Sequence, residues 1–237
     1  MAISPEASIV ITGASQGIGR SIAVILAELL PNPLILIARS ADGLAETKKE
    51  CKLLSSNRID AFTCDLSNAD EVNKLLQKAD FDNVAVLVNN AGYFLQKSVL
   101  ECESEDYSSQ FEANTLTAVH ITNGLLQRLN NQPEARAVFI CSVTAQKGQA
   151  RCGAYSASKA ALNGYIQSLR EALLDTKTAV TSIILGQTFS TSWDGSGIDP
   201  NRLADPEDVG RVIAGLCGLS SRTCVEEVVI RPQQGDL

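Results

Sequence analysis

Seven short apolar runs alternate with six stretches of helical periodicity, and this alternation limits the possible folds of the chain more than any other feature. The apolar runs cover residues 8–12, 34–38, 59–63, 84–88, 136–141, 179–185 and 225–230. The helical stretches cover residues 18–30, 41–55, 68–79, 104–130, 153–175 and 206–219. The runs are rich in Ile, Val and Leu, as is typical of strands buried on both faces. The alternation predicts an α/β fold, a doubly wound parallel sheet of about seven strands with helices on both faces.

Length and charge exclude several classes of protein. The 237 residues suit one domain, spanning 1–237, that is long enough to bury a sizeable core. The formal net charge is −7 and no basic run occurs, which argues against nucleic acid or an anionic membrane as the main partner. No apolar run reaches the roughly 18 residues of a membrane span. Residues 1–6 lack the charged and apolar segments of a secretory signal, so we expect a cytoplasmic protein.

The cysteines and the histidine do not form a metal-binding pattern. The chain has seven cysteines, no Cys-x-x-Cys pair and one histidine, His120, so no metal site is expected. We expect the cysteines to be reduced and mostly to act as small apolar residues. Cys141 and Cys152 flank a candidate catalytic segment, where a redox-sensitive thiol is an alternative to an inert one.

The first apolar run leads into a glycine-rich turn that precedes a helix. Residues 12–19 read Thr-Gly-Ala-Ser-Gln-Gly-Ile-Gly. Backbone N–H groups at a helix N-terminus point at a bound phosphate, and the helix dipole favours negative charge there. Gly13 permits the tight turn, Gly17 lets the backbone approach a pyrophosphate, and Gly19 lets the helix pack closely on the sheet. The pattern favours a dinucleotide site, and the alternative is a glycine-rich turn without a ligand.

Tyr155 and Lys159 lie four positions apart in the predicted helix over residues 153–175. Positions i and i+4 share one helix face, so Lys159 can hold its ammonium group beneath the tyrosine ring. A free tyrosine has a pKa of about 10, and a nearby cation favours the phenolate and lowers that pKa. The pair therefore suits proton transfer to or from a substrate oxygen, although such a pair on a helix is also commonly just exposed.

These two features and several short motifs together resemble the short-chain dehydrogenases/reductases. The motifs stand in the family's order and at its usual separations over most of the chain. They are Thr12-Gly-Ala-Ser-Gln-Gly-Ile-Gly19, Asp65-Leu66, Asn89-Asn-Ala-Gly92, Asn114, Ser142 and Tyr155-Ser-Ala-Ser-Lys159. The resemblance implies a single Rossmann-type domain, a dinucleotide cofactor and a small-molecule carbonyl substrate.

The resemblance also implies which residues bind the cofactor. They are Gly13, Ser15, Gln16, Gly17, Ile18, Gly19, Arg39, Asp65, Leu66, Asn90, Gly92, Tyr155, Lys159, Gly186 and Thr188. Asp65 would bond the adenine amino group, although it could instead cap the next helix. Thr188 would contact the nicotinamide carboxamide, in a segment where Leu185 replaces the family's usual proline. Asn89 is expected to be structural, tying adjacent strands together.

The residue after the second apolar run indicates which dinucleotide is preferred. Ala38 stands where the family's NAD enzymes carry an aspartate for the ribose hydroxyls, and Arg39 follows it. Arg39 could pair with a 2′-phosphate and stack on adenine, so we predict NADP(H). The alternative is that Arg39 only solvates the strand end. Gln16 replaces the basic residue of many NADP-preferring relatives and adds no charge.

Four residues are predicted to be catalytic, in roles that the resemblance implies. Ser142 would donate a hydrogen bond to the substrate carbonyl oxygen, although it could also serve as a strand-end cap. Tyr155 would give that oxygen its proton, and Lys159 would lower the tyrosine pKa and bond the nicotinamide ribose. Asn114 would kink its helix and hold a water that relays protons to Lys159, whereas the alternative is an exposed helical asparagine.

Residues outside the motifs indicate the pocket and the assembly. Residues 190–205 are predicted to form a short substrate lid over an open pocket. The predicted pocket residues are mostly apolar, which favours lipophilic or aromatic carbonyls, and they are Tyr93, Phe94, Val143, Ala145, Gln149, Phe189 and Trp193. By resemblance, the helices over 104–130 and 153–175 would form a homodimer or homotetramer.

The sequence therefore predicts an NADPH-dependent oxidoreductase that reduces a ketone or aldehyde to an alcohol. Two alternatives stay open. One is a 3-oxoacyl reductase, for which a basic surface near the pocket would be expected. The other is a non-catalytic NADP-binding sensor or scaffold, which would not need the complete set of Ser, Tyr, Lys and Asn.

Overall fold

A seven-stranded parallel sheet forms the centre of the computed structural model, which describes residues 3–236. The strands are β1 (Ser8–Thr12), β2 (Leu34–Ala38), β3 (Ile59–Thr63), β4 (Val84–Asn89), β5 (Ala135–Ser142), β6 (Thr178–Leu185) and β7 (Glu227–Ile230). Their order is β3-β2-β1-β4-β5-β6-β7. The order reverses between β1 and β4, so a ligand crevice is expected beyond the carboxyl ends of these two strands. The predicted fold class is confirmed.

Seven α-helices cover the two faces of the sheet. They are α1 (Gly17–Leu29), α2 (Ala41–Leu54), α3 (Ala69–Lys78), α4 (Ser104–Phe111), α5 (Thr117–Asn130), α6 (Gly153–Ala172) and α7 (Pro206–Cys217). Helices α1, α2 and α7 pack on one face in one apolar cluster. Helices α3, α5 and α6 pack on the other face, where two further clusters form. Among residues 3–236, no helix is both long and apolar enough to cross a membrane.

The strands are buried as a doubly covered sheet requires. Every residue of β1, β2, β4 and β5 is buried, which explains why these runs show no alternation of apolar and polar residues. β7 lies at the edge, and its residues alternate between exposed and half-buried. The edge strand begins at Glu227, two residues later than the sequence predicts.

All six predicted helical stretches differ from the observed helices at one end or more. Helix α1 ends at Leu29 because Leu30, which precedes Pro31, takes an extended conformation as residues before proline do. Helix α6 ends at Ala172, and residues 173–176 form turns instead. The stretch predicted as one helix over 104–130 is interrupted by a π-helical turn, Glu112–Leu116, between α4 and α5. This turn contains Asn114, a predicted catalytic residue.

Candidate active site

A cleft of about 640 Å³ lies beyond the carboxyl ends of β1, β4, β5 and β6, where the sheet order predicts a ligand. It brings together residues that lie as far apart in the sequence as Gly13 and Asp236. The predicted site residues that line it are Gly13, Gln16, Gly17, Ile18, Gly19, Asn90, Gly92, Asn114, Ser142, Tyr155, Lys159, Gly186 and Thr188. Four others, Ser15, Arg39, Asp65 and Leu66, do not line this cleft.

The glycine-rich turn requires glycine at several positions, because of its backbone conformation or because of the atoms packed against it. Gly13 and Gly17 have φ values of 65° and 55°, in the region that favours glycine. A Cβ atom on Gly19 would lie 2.8 Å from the carbonyl carbon of Gly13 and would also overlap the side-chain nitrogen of Asn90. That nitrogen donates to the carbonyl oxygens of Thr12, at 3.0 Å, and Gly13, at 3.3 Å. Asn90 therefore fixes the turn from β4.

The N-terminus of α1 suits an anion. No side chain caps it, and its first turn holds no acidic residue. The N-cap residue, Gln16, instead donates its side-chain amide to Thr191 Oγ1 at 3.4 Å. The backbone N–H groups at this end therefore face the cleft without a carboxylate to occupy them. A pyrophosphate fits these residues, because it would receive hydrogen bonds from the turn and the favourable end of the helix dipole.

Arg39 and Asp65 follow the paired strands β2 and β3, and they are close enough for the charge of Arg39 to act on Asp65. Arg39 is exposed, and Ala38 before it is buried and carries no polar group. Hydrogen bonds from Ser67 hold the pKa of Asp65 below its usual value, and the charge of Arg39 lowers it further. Asp65 Oδ1 accepts these bonds from Ser67 N at 3.0 Å and Ser67 Oγ at 2.7 Å. The helix cap itself is Asn68, so the proposed capping role of Asp65 is wrong.

Ser15 and Leu66 are placed mainly by structural contacts. The carbonyl oxygen of Ser15 accepts a bond from Arg20 Nη2 at 2.7 Å. Leu66 is buried in the cluster beneath α3 and α5, and its carbonyl oxygen lies 3.1 Å from His120 Nδ1. Their contacts with a cofactor stay a prediction.

Tyr155 and Lys159 occupy one face of α6, as their spacing predicts. Lys159 Nζ lies 5.9 Å from the centroid of the Tyr155 ring. The lysine is buried, and its ammonium donates to the carbonyl oxygen of Ile140 on β5 at 3.0 Å. This bond fixes the charge beneath the tyrosine and ties α6 to the sheet at the site.

The expected lowering of the Tyr155 pKa is wrong for the protein alone. Burial raises the pKa of Tyr155, because desolvation disfavours the phenolate, and a hydrogen bond with Ser142 acts in the opposite direction. Burial also lowers the pKa of Lys159. The tyrosine is therefore held as the neutral phenol, which is the form that can donate a proton.

Ser142 has both of the roles that the sequence suggests. It is the last residue of β5, and its Oγ accepts hydrogen bonds from Thr144 N at 3.2 Å and Thr144 Oγ1 at 3.0 Å. It thereby caps the short 3₁₀ turn Val143–Ala145. A hydroxyl that accepts two bonds still has its own proton to donate. Ser142 is thus oriented by Thr144 while it faces Tyr155 in the cleft.

Asn114 is buried, so the alternative of an exposed helical asparagine is wrong. Asn114 Oδ1 accepts a hydrogen bond from Tyr93 N at 3.0 Å, and Asn114 Nδ2 donates one to the carbonyl oxygen of Tyr93 at 3.1 Å. Nδ2 also lies 3.1 Å from Ser158 Oγ on α6. Gly92 is required beside it, because a Cβ atom there would overlap Asn114 Oδ1. The kink is observed as the π-helical turn, whereas the water relay to Lys159 stays a prediction.

Asn89 also differs from its expected role. Its side-chain nitrogen donates to Thr122 Oγ1 at 3.0 Å, so it joins β4 to α5. The sequence predicted a tie between adjacent strands. Both side chains are buried on the sheet face beneath α5, where an amide needs a polar partner.

The segment after β6 is held by a residue that the sequence reading missed. The carboxylate of Asp236 accepts a hydrogen bond from Gln187 N at 2.8 Å and pairs with Arg231. Gly186 is needed here, because a Cβ atom would overlap Asp236. Thr188, two residues along, is buried, and its carbonyl oxygen accepts a bond from Trp193 Nε1 at 3.0 Å. Asp236 is 49 positions from Gln187, so no local pattern could have shown this contact.

The predicted lid and pocket are only partly as expected. Residues 190–205 contain two 3₁₀ turns, Thr191–Trp193 and Pro200–Arg202, and the first of these turns borders the cleft. Five of the predicted pocket residues line the cleft, namely Tyr93, Phe94, Val143, Gln149 and Trp193. Ala145 and Phe189 do not. Cleft residues that the sequence reading missed include Gln96, Thr144 and Arg151, whereas Ser196 and Ile198 belong to the predicted lid. Phe94 packs edge-on against Tyr155, with ring centroids 4.9 Å apart.

Comparison with known proteins identifies the family. The family model described as short chain dehydrogenase matches residues 7–197. The chain belongs to this family. It is 29% identical over 225 residues to an uncharacterized oxidoreductase of Staphylococcus saprophyticus, covering 94% of this chain and 96% of that protein. It is 27% identical over 238 residues to sepiapterin reductase of Chlorobaculum tepidum, covering 97% of both.

A solved structure shows the same architecture. The alcohol dehydrogenase from Thermococcus sibiricus, complexed with 5-hydroxy-NADP, superposes with a TM-score of 0.88 at 25% sequence identity. The superposition covers 98% of this chain and 99% of the archaeal one. The motifs that suggested the family in the sequence therefore lie in a chain that matches it over nearly its whole length.

Proposed function

We propose that this protein is an NADPH-dependent oxidoreductase that reduces a ketone or an aldehyde to an alcohol. One observation carries the proposal. The cleft that holds the glycine-rich turn also holds Ser142, Tyr155 and Lys159. A proton donor and a hydrogen-bond donor are thus placed beside a dinucleotide cradle, which is the arrangement that carbonyl reduction needs.

The fit of the cofactor supports NADP(H). The uncapped N-terminus of α1 and the glycine-rich turn suit the pyrophosphate. The exposed guanidinium of Arg39 suits a 2′-phosphate, and buried Ala38 provides no carboxylate for a free ribose hydroxyl. The Thermococcus sibiricus alcohol dehydrogenase was crystallised with an NADP derivative, which agrees with this choice.

Tyr155, Ser142 and Lys159 have separate roles in the proposed reaction. Held at the glycine-rich turn, NADPH would supply the hydride for the carbonyl carbon. Tyr155, kept neutral by burial, gives its proton to the carbonyl oxygen, so that one hydride and one proton convert the carbonyl into the alcohol. Ser142 donates a hydrogen bond to the same oxygen and stabilises the charge that develops there. Lys159, held by Ile140, provides a fixed positive charge under the tyrosine as its proton leaves.

Turnover with two dinucleotides tests this proposal. Oxidation of NADPH and of NADH is followed with a panel of ketones and aldehydes, for the parent and for Arg39→Ala. We expect turnover with NADPH, weak turnover with NADH, and a KM for NADPH raised about tenfold or more in the variant because a charge-assisted pair is lost. A preference for NADH would overturn the NADP assignment. NADPH binding without reduction of any carbonyl in a widened panel would favour the sensor or scaffold alternative.

We further propose that the protein is a homodimer or homotetramer assembled through α4, α5 and α6. Tyr107 and Phe111 on α4 are large and exposed. Small residues on the exposed face of α6, which include Ala157, Ala160 and Gly164, would let a second helix approach closely. Light scattering at several protein concentrations tests this, and a strict monomer would refute it.

A further inference from the structure

One charged side chain in the cleft has neither a part in the proposed reaction nor an ion-pair partner. Three charged residues line the cleft, namely Arg151, Lys159 and Asp236. Lys159 is buried beneath Tyr155, and Asp236 is paired with Arg231. Within residues 3–236, no acidic side chain forms an ion pair with Arg151, and its one hydrogen bond goes to the neutral Gln149. Arg151 is exposed, so at the mouth of the cleft this acidic protein presents a solvated positive charge that no carboxylate of the described residues pairs with.

The guanidinium of Arg151 is oriented by its neighbour. Arg151 Nε donates to Gln149 Oε1 at 3.0 Å. This bond engages one edge of the planar group and leaves the two Nη groups for another partner. A guanidinium with two parallel N–H groups matches a carboxylate in bidentate geometry. The arrangement is thus prepared for a planar anion.

The backbone around Arg151 is fixed as well. Residues Ala150–Cys152 form a 3₁₀ turn just before α6. On one side, the carbonyl oxygen of Ala150 accepts a bond from Val99 N at 2.8 Å. On the other, Gly153 N donates to the carbonyl oxygen of Lys97 at 3.2 Å. A guanidinium on an anchored turn loses less freedom on binding than one on a free loop.

The remaining walls of the cleft limit what the anion is attached to. Phe94, Val143 and Trp193 provide apolar surface, and Tyr155 with Ser142 marks the position of the reacting carbonyl. A carbonyl compound of the uncharged lipophilic class would satisfy the apolar walls and leave Arg151 without an anion. A phosphate could also bind Arg151. The planar, bidentate pairing of a guanidinium with a carboxylate and the apolar walls of the cleft favour a carboxylate on a largely apolar molecule.

We propose that the substrate is an oxo acid with an apolar or aromatic body, whose carboxylate is bound by Arg151 while its carbonyl faces Tyr155. This inference deepens the proposed function and rests on it. It names a substrate class that the sequence reading, which expected an apolar pocket, did not include.

Matched acids and esters test the proposal. Aromatic oxo acids with different spacings between carbonyl and carboxylate are compared with their methyl esters, using the parent, Arg151→Gln and a control, Arg222→Gln. Arg222 is exposed and does not line the cleft, so the control removes the same charge elsewhere. For at least one spacing, we expect the parent to prefer the acid by roughly tenfold or more in kcat/KM. Arg151→Gln should lose this preference through a higher KM for the acid, with the ester and the control nearly unchanged.

The outcomes separate this inference from the proposed function. Equal use of acids and esters by the parent, or an equal loss for both in Arg151→Gln, would overturn the role of Arg151 and leave carbonyl reduction in place. If no carbonyl is reduced, ligand binding is measured instead by the fluorescence of Trp193, which is the one tryptophan of the chain and lines the cleft. A change on adding the corresponding hydroxy acid with NADP⁺, seen in the parent and absent in Arg151→Gln, would support the carboxylate site. No change in the parent would overturn it.

Discussion

Replacing Gly19 by alanine tests whether the glycine-rich turn is the cofactor cradle. The new methyl group would lie 2.8 Å from the carbonyl carbon of Gly13 and would overlap the side-chain nitrogen of Asn90. Backbone atoms cannot move aside as the end of a flexible side chain can. The turn must therefore shift away from α1, and with it the N–H groups that would hold the pyrophosphate.

The expected magnitude follows from two opposing terms. An added methyl group in a closely packed place costs about 1–3 kcal/mol. Alanine in place of glycine within a helix returns up to about 1 kcal/mol. Gly215 in α7 is the matched control, because it is exposed and nothing lies within 4 Å of a Cβ atom there. Gly215→Ala should therefore gain only the helix-propensity contribution to its free energy of unfolding. The free energies of unfolding of the two variants should differ by about 1–3 kcal/mol, the cost of the steric clash.

Urea unfolding and NADPH titration measure both consequences. We expect the unfolding midpoint of Gly19→Ala to fall below that of Gly215→Ala, and its Kd for NADPH to rise by about tenfold or more, since about 1.4 kcal/mol corresponds to a factor of ten. Gly215→Ala should bind NADPH as the parent does. If Gly19→Ala is as stable as the control and binds NADPH with the parent's Kd, the assignment of the turn as the cradle is wrong.

Three further predictions concern single side chains. The buried side chain of Arg136 donates hydrogen bonds to the carbonyl groups of Leu216 and Leu219, at and just after the end of α7. Arg136→Met should therefore lower the free energy of unfolding by at least about 1–3 kcal/mol and leave NADPH binding unchanged. An unaffected urea midpoint would contradict this. Asp236→Ala should weaken NADPH binding several-fold, because Gln187 N loses its hydrogen-bond acceptor. Asp236→Asn keeps an acceptor and should retain most of the affinity for NADPH, and equal losses of affinity in the two variants would contradict this explanation. Since burial raises the pKa of Tyr155, the ultraviolet difference between the parent and Tyr155→Phe should titrate above the ordinary value of about 10, with the phenol still protonated as the pH passes that value. A midpoint below it would mean that the charge of Lys159 outweighs desolvation.

The sequence predicts most of the sheet and the glycine-rich turn because their signals are local. Fully apolar runs mark the buried strands, and the glycines of residues 12–19 stand where the backbone and packing require them. The kink at Asn114 follows only from the family resemblance, because the one extra residue of its π-helical turn hardly changes the helical periodicity. Its physical cause is tertiary, because Asn114 pairs with the backbone of Tyr93 and with Ser158.

The charged residues of the cleft show where sequence reasoning ends. Arg151 and Asp236 belong to no motif, and each reaches the cleft through contacts that only the fold creates. The Tyr155 pKa was misjudged for a related reason. Spacing shows that Lys159 is near, but the extent of desolvation around the ring depends on everything packed against it. Neighbours along a helix can be read from sequence, whereas burial is a property of the assembled fold.

The most direct test of the proposed reaction is the comparison of Tyr155→Phe with the parent in NADPH binding and in carbonyl reduction. The substitution removes one hydroxyl and keeps the ring that packs edge-on against Phe94. We predict a Kd for NADPH within about twofold of the parent and a rate of reduction lower by roughly 10²–10⁴-fold, the usual contribution of a general acid. Reduction by Tyr155→Phe at the parent's rate would contradict the role of Tyr155 as the proton donor.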